Sequence, residues 1–474
     1  MKLAEGIALA SLAGSAFAAT PTFNKDIAPI LYQNCATCHR PGQVAPFALL
    51  KYEDAAKRAG LIATVTAKRY MPPWKAEPGY GRFEDERRLT DAQLALIREW
   101  AANGAPEGDP KHKPALPEFA SGWLAGKPDN ILTVAQPFSI PPDGRDIFQC
   151  FVMPMNLAAD EFVKTVEFHP GNPRVVHHAL FFLDTSGTAR RLDAETPEPG
   201  YPCFGGPQFT PAGGLGGWAP GATPEPLPSG VAHPVEKGAD LVIQIHYHPS
   251  GKPETDQSSI GLTSSDRPRK GLAGMLAGTR AIDLAPGDAH HEIKDWVLVP
   301  EDVELIGITP HAHLLCKDMQ ADARLPDGKT VPLIRIKDWD FNWQGQYRYA
   351  EPAKLPKGTH IEMRYVYDNS AANPHNPSNP PRRVTFGEQT TNEMALLFLQ
   401  VVLPSPDDVR PFRRELVMSR LDQFLSEGGE PMGMNRRTMD RLREAIPLFD
   451  KNHNGALEPE ERAAMLQVLG AGIR

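Results

Sequence analysis

Between residues 147 and 402 the chain is a succession of short apolar runs closed off by turn residues, and this pattern constrains the fold more than any other feature. The runs are 147–155, 163–168, 175–183, 241–248, 303–308, 361–367 and 394–402. Short strands at such spacing predict antiparallel β-sandwiches. Proline agrees: 48 of the 474 residues, near twice the usual share, with many in the loops between runs, where a fixed φ stiffens a connection. An apolar content of 41% is ample for buried cores, and the length leaves room for about three or four domains. A net charge of −8 gives no basic footprint, which argues against nucleic acid as a partner.

Histidine recurs in these runs. In I-T-P-H-A-H-L-L, a strand period of two puts His311 and His313 on one face, where two imidazoles can converge on one metal. Met394 heads the last apolar run. Two imidazoles and a soft thioether suit copper cycling between Cu(I) and Cu(II) better than zinc; the other reading makes both histidines surface residues and Met394 core. In 241–248, Leu241, Ile243, Ile245 and Tyr247 share one face, expected to pack inward. Gln244, His246 and His248 share the other, expected to look out into a cleft or at another domain. His177 and His178 are neighbours, so in a regular strand they point to opposite faces. Both reach one metal only if the strand twists, bulges or ends there.

Ahead of the strands the texture differs. Lys2, an apolar stretch at 7–13 and Ala16-Phe17-Ala18 predict a signal peptide over 1–18, hence a periplasmic or secreted protein. No later run is long and apolar enough to span a bilayer. Cys35-Ala36-Thr37-Cys38-His39 fits covalent haem c: two thiols for thioethers and a histidine for the iron. A redox dithiol or a zinc pair leaves that histidine unexplained. For the sixth ligand, Met71 is the only methionine between residues 2 and 150 and precedes Pro72-Pro73-Trp74; His112 is the other candidate. Residues 23–34 are expected to form a helix, and Thr90-Asp91-Ala92-Gln93 a capping box opening a second helix with Leu94, Ile97 and Trp100 on one face. From 23 to about 110 the chain resembles class I cytochromes c, especially bacterial modules with an M-P-P-W loop. A linker rich in proline, lysine and glycine follows, at 111–130.

Four dispersed segments share a further resemblance. V-V-H-H-A-L-F-F, I-Q-I-H-Y-H-P, P-H-A-H-L-L and T-N-E-M-A-L-L-F resemble, in that order, the copper type II, ascorbate-dependent monooxygenases, which include the peptidylglycine α-hydroxylating enzyme and dopamine β-monooxygenase. The resemblance covers about 129–404 and implies two β-sandwich domains, each holding one copper across an open cleft. By motif it assigns His177, His178 and His246 to an electron-transferring copper, and His311, His313 and Met394 to the copper where O2 is activated. Gln244 favours His246 over His248, which becomes a neighbour of the site. It also implies a Cys150–Cys203 disulfide, which export permits. Cys316 is left over. The fold class expected is therefore multidomain: an all-α cytochrome c domain at 19–110, two antiparallel jelly-roll-like sandwiches at 131–270 and 271–405, and a helical EF-hand segment at 406–474.

That last segment carries an EF-hand pattern. Asp450, Asn452, Asn454, Glu458 and Glu461 offer oxygens at positions 1, 3, 5, 9 and 12, Ala456 its carbonyl at 7, and Gly455 fills 6, so calcium is expected.

The function expected is hydroxylation of a C–H bond in a small-molecule substrate by O2, with electrons from an external donor relayed through the haem to two coppers. The other reading is a non-catalytic electron-transfer or copper-binding protein. In the peptide-hydroxylating branch an arginine, an asparagine and a tyrosine anchor a peptide carboxylate; the matching positions are Thr309, Leu396 and Phe398. A carboxylate desolvated there has no charged partner and loses several kcal/mol, so the substrate expected is neutral and largely apolar.

Overall fold

The computed structural model describes residues 20–472 apart from 42, 44, 120, 121 and 433–435, so the signal-peptide segment at 1–18 lies outside the described residues. The chain divides into two compact units, Met1–Pro73 with Arg87–Glu118, and Trp74–Glu86 with Phe119–Arg474.

In the first unit, a π-helical turn Phe23–Ile27 runs into the helix Ala28–Asn34, and short helices follow at Tyr52–Ala56, Ala59–Ala67 and Asp91–Ala102. The last begins where the sequence asks: Thr90 and Gln93 form the reciprocal capping box. It ends at Asn103, ahead of Gly104, whose φ of +81° a residue with a Cβ rarely adopts. Its buried face, Ile97 and Trp100, packs on Phe23, Ile27 and Leu31, and the Trp100 indole N–H donates to Pro106 O at 3.0 Å, so the buried ring leaves no polar atom unpaired.

In the second unit the described strands form six sheets whose ladders are antiparallel. Towards its N-terminal side a five-stranded sheet runs in the order Tyr201–Pro202, Ile147–Pro154, Asp240–Tyr247, Val176–Asp184, Gly213–Trp218. It shares one core with a four-stranded sheet: Phe151, Ile243, Ile245 and Tyr247 face Val163, Phe168, Ile260 and Leu262. Asp240–Tyr247 is buried on both faces because Cys150, Tyr201, Cys203 and Val242 form a second small cluster over its other side. The histidine face of that strand is therefore covered, where the alternation alone had it looking out. The Cys150–Cys203 disulfide, Cα–Cα 5.8 Å, staples this cover down.

Farther along, the sheet Gly271–Gly278, Leu396–Leu403, Val303–His311, Tyr347–Leu355 faces the sheet His291–Leu298, His360–Tyr367, Cys316–Arg324, Thr330–Ile336 across the largest core. Helices Val409–Glu427, Arg436–Phe449 and Pro459–Gly472 close the chain. The first docks by charge: Arg420 and Asp295, whose side chains are 6% and 8% exposed, pair at 2.9 Å, and Asp295 also takes the Gly278 N–H at 2.5 Å.

The expected fold class does not hold. The described chain is mostly β, and no self-standing all-α cytochrome c domain occupies 19–110. The reason is aromatic burial. Trp74–Glu86 leaves the helical stretch and belongs to the β unit, where Trp74, Ala76 and Phe83 enter the largest core beside Tyr347 and Tyr349, with the Trp74 and Tyr347 rings 5.3 Å apart and Phe83 bridging to Tyr349. The two β halves likewise lie in one unit together with the terminal helices. Two strand ends also move: Val303–His311 extends past residue 308 through the first histidine, and the last strand starts at Leu396, leaving Met394 before it.

Removing one partner of a buried ion pair strands a charge, typically at about 3–5 kcal/mol. Arg420→Ala is accordingly expected to lower unfolding stability by about that amount in urea melts, and Asp295→Asn with Arg420→Met to recover most of it. Equal losses in the two proteins would show that the pair does not anchor the helix.

Candidate metal centre

Two histidines reach one place because their strand is irregular. The pairing of Val176–Asp184 with its neighbour shifts between Val176 and His178: Val176 stands opposite Tyr247 and His178 opposite His246, so His177 is the extra residue of a bulge. His177, His178 and His246 then converge, with ligand atoms all within 4.8 Å of one another. Their Nδ1 atoms come closest, at 3.2 Å between His177 and His178 and 3.4 Å between His178 and His246. Phe148 stacks on the His246 ring at 4.3 Å.

Behind His246 sits Asp146, which the sequence did not single out. Its carboxylate is 3.2 Å from His246 Nε2, off the line of a hydrogen bond, and takes the His248 Nδ1–H at 2.7 Å and the Thr390 hydroxyl. Burial raises the Asp146 carboxyl, but the contacts with His246, His248 and Thr390 outweigh it and hold the group below the usual carboxylate range. In return Asp146 raises His248, which stays outside the three-histidine group. A carboxylate behind a histidine fixes its ring, as in many metal sites.

The second pair is oriented from behind as well. His311 closes its strand, and its Nδ1–H donates to Gln344 Oε1 at 2.6 Å. His313 donates Nδ1–H to Asn392 O at 3.1 Å. Each ring is thus left with its Nε2 lone pair free. The rings stand 5.3 Å apart. Met394, 8% exposed, lies beyond the strand on the continuation of a register that pairs His311 with Leu396, which brings its backbone level with His313. Glu393 is fully buried, and its carboxylate accepts N–H groups of His313 (2.8 Å), Leu315 (2.6 Å) and Met394 (3.2 Å). Burial pushes this carboxyl up to about 8 against the pull of those N–H groups. Phe341 stacks on His177 at 4.6 Å and lies 5.6 Å from His313.

Asp146, Phe341, Gln344 and Glu393 all escaped the sequence reading. Only Glu393, a charge beside an apolar run, carried any signal. Cys316 is a buried free thiol with its pKa pushed well up, first by burial and then by Glu393.

The donor set fits copper: three convergent imidazoles, then two imidazoles with free Nε2 atoms and, about eighty residues on in sequence, a thioether residue whose main-chain N–H shares the Glu393 carboxylate with that of His313. Elsewhere, Cys35 and Cys38 are free thiols, and His39 donates Nδ1–H to Phe47 O at 3.0 Å, which leaves its Nε2 available as an iron ligand. Met71 follows the helix Ala59–Ala67 in the same unit, its N–H on Val65 O. Asp450 and Glu461 are 6% and 7% exposed at the two ends of a loop turned by Gly455 at φ +85°. Their carboxylates fold the loop, Asp450 taking Asn454 and Gly455 N–H and Glu461 taking Lys451 and Glu458 N–H. The loop's oxygen donors fit a hard cation such as calcium.

No protein-family model matches the chain, and no curated protein matches it. Solved structures give distant matches. The major capsid protein P2 from bacteriophage PM2 is 9% identical over 54% of this chain and 97% of its own, with a TM-score of 0.24. PNGF-II is 10% identical over 58% and 63%, at 0.23. The infectious bursal disease virus Gx strain structure is 6% identical over 72% and 93%, at 0.15. Similarity at this level carries no functional argument.

Two expectations follow. His177, His311 and His313 are pushed down to about 3, 4 and 3, chiefly by burial and then by neighbouring imidazoles, and His178 lies well below its ordinary value. Below pH 6.5 the unfolded chain binds protons that the folded chain refuses, so the metal-free protein should lose stability as pH falls from about 6.5 to 4, at up to about 1.4 kcal/mol per pH unit per histidine. A flat profile through that window in the denaturant midpoint would contradict the burial. Calcium binding only the folded state should raise the melting temperature of the terminal helices, and Glu461→Gln should abolish that shift; an unchanged calcium response in the mutant would count against the loop.

Proposed function

We propose that this is an exported copper-dependent monooxygenase that hydroxylates a C–H bond of a neutral, largely apolar substrate. The observation that carries the reading is the convergence of the His177, His178 and His246 Nδ1 atoms facing His311 and His313, whose Nε2 atoms are free. His177, His178 and His246 would hold one copper, and His311, His313 and Met394 the other. When bound, copper supplies one-electron redox chemistry: one oxygen atom of O2 enters the C–H bond, the other leaves as water, and two electrons and two protons from outside complete the balance. Haem held by Cys35, Cys38 and His39 would relay electrons from an external donor.

What the chain itself contributes is orientation and exclusion of water. Gln344 and Asn392 fix the tautomers of His311 and His313, and His246 and His313, 2% and 3% exposed, are shut off from bulk water. The part of the sheet face nearest His311 carries several apolar side chains. Leu396 pairs with His311, Phe398 with Thr309, and Leu276 with Phe398, so all of these side chains share that side of the sheet. Phe398 is 41% exposed, and Leu180, two residues past His178 on the opposing sheet, is 36% exposed. A substrate held by contact with such side chains gains by shape and desolvation, with no cation among them to hold a carboxylate.

The deciding experiment offers neutral hydrophobic candidates and C-terminal glycine peptides to the copper-loaded, reduced protein, with mass spectrometry of products. Hydroxylation of the former with reductant-dependent oxygen uptake is expected; efficient hydroxylation of the peptides defeats the substrate argument, and electron transfer without product favours the non-catalytic reading. His311→Ala or Met394→Ala should remove product while the haem spectrum stays intact. Gln344→Leu should weaken copper affinity by about 10–100-fold through the loss of ring orientation. Zinc, or a single copper with all six residues intact, defeats the two-copper reading.

A further inference from the structure

Residues 74–86 interrupt the helical unit in sequence and pack in the β unit instead. Glu77 N–H donates to Arg335 O at 2.8 Å, Glu84 N–H to Arg348 O at 2.9 Å and Ala350 N–H to Arg82 O at 2.9 Å, so this strap lies along two strands of the β unit. Aromatic rings anchor it. Trp74 stands 5.3 Å from Tyr347, and Phe83 stands 5.2 Å from Tyr347 and 5.0 Å from Tyr349. Gly81, at φ +77°, approaches the sheet so closely that a Cβ there would meet Leu333 O at 2.6 Å.

The strap leaves the helical unit and returns to it at one place. Arg69, just before it, donates to Leu89 O at 3.0 Å and to Asp91 at 2.7 Å, both just beyond it, so the two ends are tied together. Met71, the candidate sixth ligand of the haem, sits at this base. Its N–H donates to Val65 O, which fixes the chain on its amino side. On its carboxyl side only Pro72 and Pro73 separate it from Trp74, a reach of about 11 Å at most, with proline rings removing φ freedom. Arg87, the first residue after the strap, lies within electrostatic reach of Cys38, whose thiol burial pushes up and the Arg87 charge pulls back down. Both ends of the strap thus carry residues with a part in the haem site, while its body is held by the β unit.

We propose that Trp74 is a positioning residue for the haem: seated against the β core, it holds the chain that follows Met71, so that methionine ligation of the iron requires a docked strap. The inference rests on the haem reading of Cys35, Cys38, His39 and Met71, and adds that the sixth ligand is set from outside the helical unit. Methionine ligation raises the potential of a c-type haem, so the relay takes its higher-potential form only while the strap is seated.

The test uses the full-length, haem-loaded protein, read by the weak long-wavelength absorption band of a ferric haem with methionine sulfur on the iron, and by the haem midpoint potential. Trp74→Ala and Gly81→Ala are expected to lose the band and lower the potential while Cys316, the buried thiol of the β unit, stays unreactive to a thiol reagent. Trp74→Phe should keep both signals, since the indole N–H has no acceptor among the described residues and the ring acts by packing. The unmutated chain gives a second measurement, which decides the matter even where the variants fold poorly. In a urea titration the band should vanish together with the protection of Cys316, Cys35 and Cys38 being taken up in the thioethers. A band that survives in both alanine variants, or that outlasts the protection of Cys316, would overturn the role of the strap and leave the haem reading standing. A band missing from the unmutated protein, or one that survives Met71→Ala, would overturn Met71 ligation and the inference together.

Discussion

One buried carboxylate organises the second half of the candidate site. Among the described residues Glu393 has no ion-pair partner, and its carboxylate is held by main-chain donors, those of His313, Leu315 and Met394 among them. The N–H groups it collects belong to two segments about eighty residues apart in sequence, the turn after the H-x-H strand and the approach to the last strand. The approach to the last strand has only an isolated bridge, Phe386 to Glu393, which does not use the Met394 N–H, so without this acceptor these N–H groups would be buried unpaired, at about 1–3 kcal/mol each. The carboxylate does for these two loop ends what a ladder does for strands. Tyr367 completes the arrangement by donating its hydroxyl to Met394 O at 2.6 Å. Both candidate ligands outside regular structure, His313 and Met394, therefore have fixed backbones.

On the other side the organising constraint is a bulge. A regular strand would have sent His177 and His178 to opposite faces, one of them into the core beside Val176 and Ala179. The single-residue shift spares the core, because Val176, Ala179, Phe181 and Leu183 all remain buried in it, and it brings both imidazoles out together. A second effect is that Asp240–Tyr247 becomes fully covered, since the disulfide loop folds over Val242 while the histidines take up the end near His246.

Local pattern explains what was legible in the sequence. The Thr90–Gln93 capping box, the inward face Leu241, Ile243, Ile245 and Tyr247, and the Gly455 turn depend on neighbours within a few residues, and each is present. The division of the chain was not legible, because it depends on where aromatic rings find partners far away. Trp74 reads as part of a loop beside Met71, yet its ring packs against Tyr347, more than 270 residues later. The same holds for Phe341 and Gln344, which lie in a segment without periodicity and act on histidines from two different sheets. Met394 reads as a strand residue from its apolar neighbours, but pairing begins only at Leu396, and the Met394 N–H goes to the Glu393 carboxylate instead.

The terminal helices show how a polar segment can be held to a sheet with little apolar contact. Val409–Glu427 has Phe412 in the largest core, while Leu421, Phe424 and Leu425 belong to a separate cluster with Met439, Leu457 and Met465. Between these two apolar footings sits Arg420, whose guanidinium meets Asp295, Trp296 O and Gly278 O. Two of those acceptors are main-chain carbonyls of the sheets themselves, and Asp295 in turn holds the Gly278 N–H. The arginine thus ties the end of one strand, at Gly278, to the middle of another, at Asp295 and Trp296, as well as docking a helix. Gly278 pairs with Leu396, and Leu396 with His311. The strand edge that Arg420 secures is the one on which the H-x-H strand is aligned, so the helical segment is part of the support of the candidate metal centre and not an appendage to it.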